Sequence, residues 1–308
     1  MYGRDLLSIA ELSPDDLDML LQTALSMKLD GSRPVLQGKT VAMLFEKPSL
    51  RTRVSFEVGM KQLGGNAIYL SQSEVGLGQR EPVKDVARVL SRYVAGIVAR
   101  TYAQQTLHEL ASAADVPVVN ALSDDEHPCQ ALADLLTVRE HKGRLAGIRI
   151  AFIGDGNNVA ASLAVACVLA GGEFVIASPD GYELSRDIAE TARSSASKTG
   201  GAVELVKAPE DAARGADVVY TDVWTSMGQE ASYQQRLEVF QGYQVDDPLM
   251  SLAKPDAIFM HDLPAHRGEE VTDEVIEGSH SVVFDQAENR LHAQKALLAA
   301  ILAGETPS

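Results

Sequence analysis

Cysteine is scarce in this chain, and so are aromatic residues, positive charge and long apolar runs. The two cysteines, Cys129 and Cys167, do not have a metal-type spacing, which disfavours a disulfide scaffold and predicts a reducing cytoplasm. Aromatics make up 5% of the residues, so the core has to be built from Leu, Val, Ile and Ala. Met1–Asp5 lacks the apolar stretch of a signal peptide, and no apolar run is long enough to span a bilayer.

The shortage of positive charge restricts the kind of partner that the protein binds. Lys and Arg number 27 against 43 Asp and Glu, which gives a formal charge of −16. Nucleic-acid binding needs a basic surface and is therefore disfavoured. A small anionic substrate would require a local cluster of cations that reverses the overall field.

Strands and helices alternate along the 308 residues, which is enough chain for two domains. One series ends with a predicted helix over Gln130–Lys142, and a second begins with an apolar strand at Arg149. The second series is predicted to finish with a strand over Ser281–Phe284 and a helix over Glu288–Leu302. This alternation predicts an α/β fold with mainly parallel sheets flanked by helices, divided near Gln130–Lys142.

A cluster of cations follows the first predicted strand, which ends at Phe45. Lys47, Arg51 and Arg53 lie within seven residues, and a helix is predicted to begin near Ser49. A helix N-terminus attracts anions, and arginine holds phosphate oxygens with a bidentate fork. The residues alone leave two interpretations open, a phosphate site or a capping serine in a solvated basic turn.

Ser49–Arg53 resembles the Ser-x-Arg-Thr-Arg signature of the aspartate and ornithine carbamoyltransferases, which binds the phosphate of carbamoyl phosphate. His127–Gln130 is similar to the family's His-Pro-x-Gln segment, which holds the carbamoyl group, and Ala287–Arg290 also matches. The resemblance implies a carbamoyl phosphate site formed by Ser49, Leu50, Arg51, Thr52, Arg100, His127, Gln130, Asp262, Leu263 and Arg290. Of these residues it assigns catalytic roles to Arg100, His127 and Asp262.

Two further loops resemble the amino-acid side of the ornithine enzymes. Gly154–Asn158 is similar to their Gly-Asp-x-x-Asn-Asn loop and lacks the G-x-G-x-x-G pattern of a dinucleotide site. Asp222–Gly228 resembles their Asp-x-x-x-Ser-Met-Gly loop and follows a predicted strand. The resemblance implies ornithine ligands at Asn158, Asp222, Ser226 and Met227.

The chain departs from the family pattern at two places. His261–Pro264 resembles the His-Cys-Leu-Pro segment, but Asp262 stands where the ornithine enzymes usually have Cys. A carboxylate there would hold the reacting amine or accept its proton, or it would favour a different amine. In the Ser73–Glu81 segment many relatives carry a Gln that reaches a neighbouring subunit. Here Gly76 takes that position and Gln79 follows three residues later.

The resemblance covers nearly the whole chain and implies transfer of the carbamoyl group from carbamoyl phosphate to the δ-amine of L-ornithine, giving L-citrulline. It implies a carbamoyl phosphate domain over residues 1–138, with 288–308 returning to it, and an ornithine domain over 139–287. It also implies a homotrimer or a multiple of one, with no metal, organic cofactor, nucleic acid or membrane partner. Three alternatives remain: another amine such as putrescine or an acylated ornithine, a catalytically silent regulatory relative, and a nucleotide-dependent oxidoreductase.

Overall fold

The computed structural model describes residues 1–226, 228 and 230–303. The chain forms two compact units. Unit 1 contains Met1–Leu136 and the described residues from Glu288 onward, and unit 2 contains Thr137–Ala287. Among the described helices, none combines the length and the apolar character that crossing a membrane requires.

The first half of the chain alternates strands and helices as the sequence predicts. Its elements are α1 (Pro14–Leu29), β1 (Thr40–Phe45), α2 (Leu50–Gln62), β2 (Asn66–Ser71), α3 (Gln72–Val75), α4 (Val83–Leu90), β3 (Gly96–Arg100), α5 (Gln104–Ala113), β4 (Val118–Leu122) and α6 (Pro128–Lys142). Ser13 caps α1 with a capping box, and Pro14 takes the first helical position, where its missing N–H has no consequence.

The four strands of unit 1 form one sheet in the order β2-β1-β3-β4, and every pairing is parallel. The order reverses between β1 and β3, because the chain crosses from one side of β1 to the other at that point. Strands β1, β3 and β4 are almost wholly buried, as expected for a parallel sheet that is covered on both faces.

The second half repeats the pattern. Its elements are β5 (Arg149–Ile153), α7 (Asn158–Leu169), β6 (Glu173–Ala177), α8 (Arg186–Thr199), β7 (Ala202–Val206), α9 (Pro209–Ala213), β8 (Val218–Thr221), α10 (Tyr233–Val239), α11 (Asp247–Met250), β9 (Ile258–Met260), α12 (Asp273–Ile276) and α13 (Val283–Leu302).

The five strands of unit 2 form a parallel sheet in the order β7-β6-β5-β8-β9, which reverses between β5 and β8. In one core cluster of unit 2 the buried residues are aliphatic apart from Phe259, and Val175, Val219 and Val271 are fully buried. The predicted α/β class with parallel sheets is confirmed, and so is the return of the last helix, whose residues from Glu288 belong to unit 1.

The prediction of a strand over Ser281–Phe284 is wrong. Ser281 forms one isolated bridge with Phe259, and α13 begins at Val283, five residues before the predicted start. Val282, Val283 and Phe284 have β-favouring side chains, but Val282 and Val283 are buried while Phe284 is 66% exposed. Helical spacing explains this burial pattern, and burial against the core overrides the local propensity.

Candidate active site

The cationic residues of unit 1 gather where the strand order of its sheet reverses. Ser49 follows β1, and Arg100 is the last residue of the neighbouring strand β3, paired with Phe45. The carboxyl ends of parallel strands at such a reversal form a crevice in which α/β proteins bind ligands. Arg100 is 6% exposed, so its guanidinium is held inside the unit at this edge.

Ser49 prepares the N-terminus of α2 as an anion site. It has an extended backbone, and its Oγ accepts a hydrogen bond from the Thr52 backbone N–H at 3.2 Å. The same Oγ lies 3.0 Å from Thr52 Oγ1 and donates to it. Leu50 and Arg51 form the first turn, where the backbone N–H groups and the helix dipole favour negative charge.

Arg290 of α13 connects this helix start with the His127 segment. Its Nη2 donates to Thr52 Oγ1 at 2.6 Å, and its Nη1 donates to Gln130 Oε1 and to His127 Nε2, the latter at 3.3 Å. Gln130 in turn donates to Asp134 at 2.8 Å. Arg290, Thr52, His127 and Gln130 are each at most 3% exposed, so their mutual hydrogen bonds fix one geometry.

His127 is held in its neutral form. Burial lowers its pKa well below the usual value, and the positive charges of Arg290, Arg100 and Arg51 lower it further. Because Nε2 accepts a hydrogen bond from Arg290, we assign the ring proton to Nδ1. His127 is therefore a neutral hydrogen-bond donor. It carries no positive charge and does not act as a cationic general acid. The same three arginines act on one imidazole, which shows that the predicted cations converge.

Lys47 ties together the loops that carry these residues. The ammonium group forms an ion pair with Asp124, which precedes His127, and lies 4.5 Å from the ring centroid of Tyr102, which follows Arg100. Glu46 adds a hydrogen bond from the Tyr102 backbone N–H at 2.9 Å. Lys47 is 5% exposed and is therefore a buried clamp across the ends of β1, β3 and β4.

The polar residues of unit 2 also lie where the strand order reverses, between β5 and β8. Gly154 ends the first of these strands with a φ of 139°, which a side chain would disfavour. Asn157 caps α7, since its Oδ1 accepts from the N–H groups of Val159 and Ala160 at 3.0 and 3.1 Å. Its Nδ2 donates to Asp222 Oδ2 at 2.7 Å, and Asn158 is the first helical residue.

Asp222 and Asp262 meet at the ends of β8 and β9. One carboxylate oxygen of each and a ring nitrogen of His261 all lie within 4.8 Å of one another. Burial raises the pKa of Asp222 well above its usual range, and the Asp262 carboxyl raises it further, while His261 and Asn157 act in the opposite direction. The ends of β8 and β9 thus bring two carboxyl groups together.

His261 and Glu270 fix the backbone that carries Asp262. The Nε2 of His261 lies 3.1 Å from Glu270 Oε1, and its Nδ1 accepts the Leu263 N–H at 2.9 Å. The His261 N–H donates to Gln286 Oε1 at 2.9 Å. Leu263 has a φ of 58°, a left-handed conformation that is unfavourable for a non-glycine residue and is held here by these bonds.

The remaining predicted ligands lie on the loop after β8. Ser226 is half-buried and is the last described residue before Met227, which lies outside the described residues. Asp155 and Arg236 brace this loop through an ion pair of 2.6 Å, and Arg236 also donates to the Trp224 carbonyl at 2.6 Å.

Four contributors escaped the sequence-based prediction: Lys47 as a clamp, Asn157, Glu270 and Gln286. Asn157 carries a usable signal, because an Asn directly before an apolar helical run is a typical N-cap. Lys47 was noted as a cation, but its partner Asp124 is 77 residues away. Glu270 and Gln286 act through His261, and nothing in their local sequence indicates that contact.

The departure at Gly76 has a structural reason. Gly76 has a φ of 63° and ends the short helix α3, and a Cβ there would lie 2.9 Å from the Cβ of Arg80. A glutamine at this position would be strained. Gln79 lies exposed on the same loop.

Two groups of the described residues place possible metal ligands within 4.8 Å of one another: Asp222 with His261 and Asp262, and His266 with Glu269 and Glu270. In both groups the side chains already contact one another through hydrogen bonds or ion pairs. The geometry by itself therefore specifies no metal ion.

Comparisons with known proteins show the family to which the chain belongs. Residues 4–140 match the family described as aspartate/ornithine carbamoyltransferase, carbamoyl-P binding domain, and residues 146–301 match its Asp/Orn binding domain. The ornithine carbamoyltransferase of Hyperthermus butylicus is 56% identical, covering 98% of both chains, and that of Bacillus subtilis is 55% identical, covering 98% of this chain and 95% of the relative. The structure of the Pyrococcus furiosus enzyme has a TM-score of 0.95 at 50% identity, covering 99% of this chain and 98% of the other.

Proposed function

This chain belongs to the aspartate/ornithine carbamoyltransferase family, and we propose that it transfers the carbamoyl group of carbamoyl phosphate to the δ-amine of L-ornithine. The single observation that carries the proposal is the buried network in which Arg290 joins Thr52, His127 and Gln130 beside the N-terminus of α2. The products are L-citrulline and phosphate. The full-length likeness to ornithine enzymes disfavours the nucleotide-dependent and silent alternatives.

Unit 1 supplies the carbamoyl phosphate site in this proposal. The N-terminus of α2, with Ser49, Leu50, Arg51 and Thr52, accepts the phosphate, and Arg100 bridges phosphate and carbonyl oxygens. His127, Gln130 and Arg290 orient the carbamoyl group. Neutral His127 is suited to this task, because a neutral donor stabilises the carbonyl oxygen as it gains negative charge during attack.

Unit 2 supplies the ornithine site. Asp222 binds the α-ammonium group, Asn158 the α-carboxylate or α-amine, and Ser226 and Met227 cover the side chain. Asp262 and Leu263 lie at the reacting δ-amine and the carbamoyl group. The support is chemical: two neighbouring carboxyl groups suit a substrate that carries an α-ammonium group and a second amine.

The reaction forms one bond and breaks another. The neutral δ-amine attacks the carbonyl carbon, the carbon–oxygen bond to phosphate breaks, and the amine gives up a proton as phosphate departs. Arg51, Arg100 and Arg290 stabilise the negative charge of the leaving phosphate. Holding both reactants in register converts a bimolecular step into an effectively unimolecular one, which contributes much of the rate.

The experiment is citrulline formation from carbamoyl phosphate with a panel of amines: L-ornithine, putrescine, N-acetyl-L-ornithine and L-aspartate. We expect product with L-ornithine and little with the other three. Putrescine has no carboxylate, acetylornithine lacks the ammonium that Asp222 binds, and aspartate brings a second carboxylate to an acidic pocket. Product from another amine in place of ornithine would contradict the substrate assignment, and no product with any amine would favour the silent relative.

We further propose a homotrimer or a multiple of one, in a reducing cytoplasm. The oligomer is supported by the apolar face of α2, where Leu50, Val54 and Val58 recur at helical spacing with 76, 47 and 36% exposure. Ile68 on the edge strand β2 is 50% exposed as well. The cytoplasm is supported by Cys129 and Cys167, both buried free thiols.

A charged substitution tests the oligomer. We expect Val54→Glu to lower the mass measured by light scattering after size exclusion, because a buried charge would oppose association of this face. Val89→Glu is the matched control, since Val89 is 48% exposed on α4 of the same unit. Equal masses for both variants would contradict the proposed face.

A further inference from the structure

The N-terminal segment, which precedes every motif discussed above, lies beside the loop between β4 and α6. Leu6 extends the sheet of unit 1 beyond its edge strand β4. Its N–H donates to the Val118 carbonyl at 3.0 Å, and its carbonyl accepts the Asn120 N–H at 2.8 Å. A short 3₁₀ helix follows over Ile9–Glu11. Leu6 and Ile9 are fully buried, so the segment is part of the packed unit.

Glu126, the residue before His127, is bound to this segment. Its Oε2 accepts the backbone N–H of Ile9 at 3.0 Å, between residues that lie 117 positions apart in the sequence. Glu126 is 7% exposed and His127 is 2% exposed, so water competes little for the hydrogen bond. Because Glu126 and His127 are consecutive, this bond helps to fix the backbone from which the imidazole projects.

A second set of hydrogen bonds joins the same segment to the same loop. The Leu7 carbonyl accepts from Asn120 Nδ2 at 2.9 Å and from Gln104 Nε2 at 3.0 Å. The Oε1 of Gln104 accepts from Ser123 Oγ, which in turn accepts the Glu126 N–H at 3.1 Å. The N-terminal segment and the loop therefore belong to one polar network inside unit 1.

The loop between β4 and α6 is thus held near both of its ends. Asp124 forms the ion pair with Lys47 that is described above, which connects the start of the loop to the end of β1. Glu126 connects the end of the loop to the N-terminal segment beside β4. With both ends fixed, the His127 imidazole is held in one place, as a precise binding site requires.

We propose that Glu126 is a positioning residue of the carbamoyl phosphate site, and that the N-terminal segment acts on this site through its hydrogen bond to Glu126. The proposal rests on the role of His127 in the function proposed above and deepens it. A small displacement of a group that orients a substrate is costly. Loss of the bond should therefore weaken the contact of His127 with the carbamoyl group and leave the phosphate contacts of α2 in place.

Two ligands separate the two halves of the site. Phosphonoacetamide is a stable analogue that carries a phosphonate and a carboxamide, whereas inorganic phosphate has the anionic half alone. Each is titrated calorimetrically into wild-type enzyme and into Glu126→Met, at a temperature where thermal unfolding shows both to be folded. We expect Kd for phosphonoacetamide to rise about tenfold in the variant, and Kd for phosphate to change little. A general loss of folded protein would affect both ligands equally.

The conservative variant Glu126→Gln tests whether the acceptor oxygen is what matters. Its side chain has the length of Met and Glu but keeps an oxygen that accepts the Ile9 N–H, so it should restore most of the affinity for phosphonoacetamide. Asp125→Ala is the control, because it removes an exposed carboxylate from the same loop and should leave both Kd values near those of the wild type.

The donor of the hydrogen bond is tested at Ile9. Ser8 is extended, with φ of −137° and ψ of 146°, and Ile9 is the first residue of its 3₁₀ helix, so proline fits this backbone and removes the N–H. Ile9→Pro should reproduce the effect of Glu126→Met. Ile9→Val is the matched control, since it also shortens the buried side chain but keeps the N–H. The double variant Ile9→Pro, Glu126→Met should be no worse than either single variant.

Four results would overturn the proposal: unchanged binding in Glu126→Met, equal weakening of both ligands, a Glu126→Gln variant as weak as Glu126→Met, or additive losses in the double variant. Wild-type enzyme that binds neither ligand would overturn it as well. Failure of the proposed function has a separate signature, namely no citrulline from wild-type enzyme with any amine. The titrations still decide the role of Glu126 in that case, because they require no turnover.

Discussion

The two units use the same position of a parallel sheet for opposite charges. In unit 1 the reversal between β1 and β3 collects Arg51, Arg100 and Arg290 around a neutral histidine. In unit 2 the reversal between β5 and β8 collects carboxyl groups, with Asp222 braced by Asn157. The sheet topology therefore decides where polar side chains gather, and the residues that follow each strand decide the charge of that region.

The two regions also differ in how burial shifts the pKa of their titratable groups. In unit 1, burial and three nearby arginines lower the pKa of His127, so this imidazole avoids the cost of a buried charge by staying neutral. In unit 2 burial raises the pKa of Asp222 well above its usual range, which disfavours the ionised form of that carboxyl group.

Among these predictions, the largest loss of activity is expected when Arg290 is removed from the arginine cluster of unit 1. Arg290→Met keeps the apolar stem and deletes the guanidinium that holds Thr52, His127 and Gln130. We expect kcat/KM for carbamoyl phosphate to fall by about 10²–10³-fold, the effect of losing one preorganised charge-stabilising group. Steady-state kinetics measure it. Arg88→Met, at an exposed arginine of the same unit, should stay near wild type, and a loss below tenfold for Arg290→Met would argue against its role.

Removal of the Lys47 contacts in unit 1 should reduce activity with carbamoyl phosphate less than removal of Arg290 does. Lys47→Met removes the ion pair with Asp124 and the contact with Tyr102. Because the clamp positions loops and touches no reacting atom, we expect KM for carbamoyl phosphate to rise about tenfold with a smaller change in kcat. Asp124→Asn should reproduce the effect, and the double variant should be no worse than Lys47→Met. Additive losses would mean that the two residues act separately.

The free energy of unfolding should depend on pH with opposite signs for the titratable groups of the two units. The pKa of His127 is lowered, so the folded protein binds fewer protons than the unfolded chain, and stability falls as pH drops below the usual histidine range. The pKa of Asp222 is raised, so the folded protein binds more protons, and stability falls as pH rises above the usual aspartate range.

Thermal unfolding between pH 5 and 8 checks both slopes with one variant for each unit. His127→Gln should reduce the fall of the unfolding temperature toward pH 5. Asp262→Asn should raise the unfolding temperature by a few degrees near pH 8 with little change near pH 5. Asp180→Asn, which changes a 93% exposed aspartate of unit 2, should follow the wild-type curve. Parallel curves for wild type and Asp262→Asn would mean that the carboxyl pair carries no burial penalty.

Much of the fold was predictable from local pattern. The alternation of apolar strands with capped helices predicted nearly every strand of both sheets, because buried parallel strands are short apolar runs. The exception at Ser281–Phe284 shows the limit. Those residues have strand propensity, yet α13 starts at Val283 because packing in the unit outweighs a weak local preference.

The candidate site was predictable where it consists of contiguous motifs. Ser49–Arg53 and His127–Gln130 carry their own helix starts, so their chemistry can be interpreted locally. Residues that act through another side chain carry no such signal. Glu270 is anchored to His261, and Gln286 holds its backbone, through contacts that only the folded chain creates.

The sequence by itself determined the alternating architecture, through periodicity and capping, and its contiguous motifs indicated the family and the residue types of the candidate site in each unit. Only the tertiary structure decided which side chains become neighbours, which have shifted pKa values and which hold loops together. Asp222 and Asp262 are separated in sequence but adjacent in space because β8 pairs with β9. The pKa of Asp222 depends on burial and on the field of its neighbour, and both of these are properties of the packed molecule.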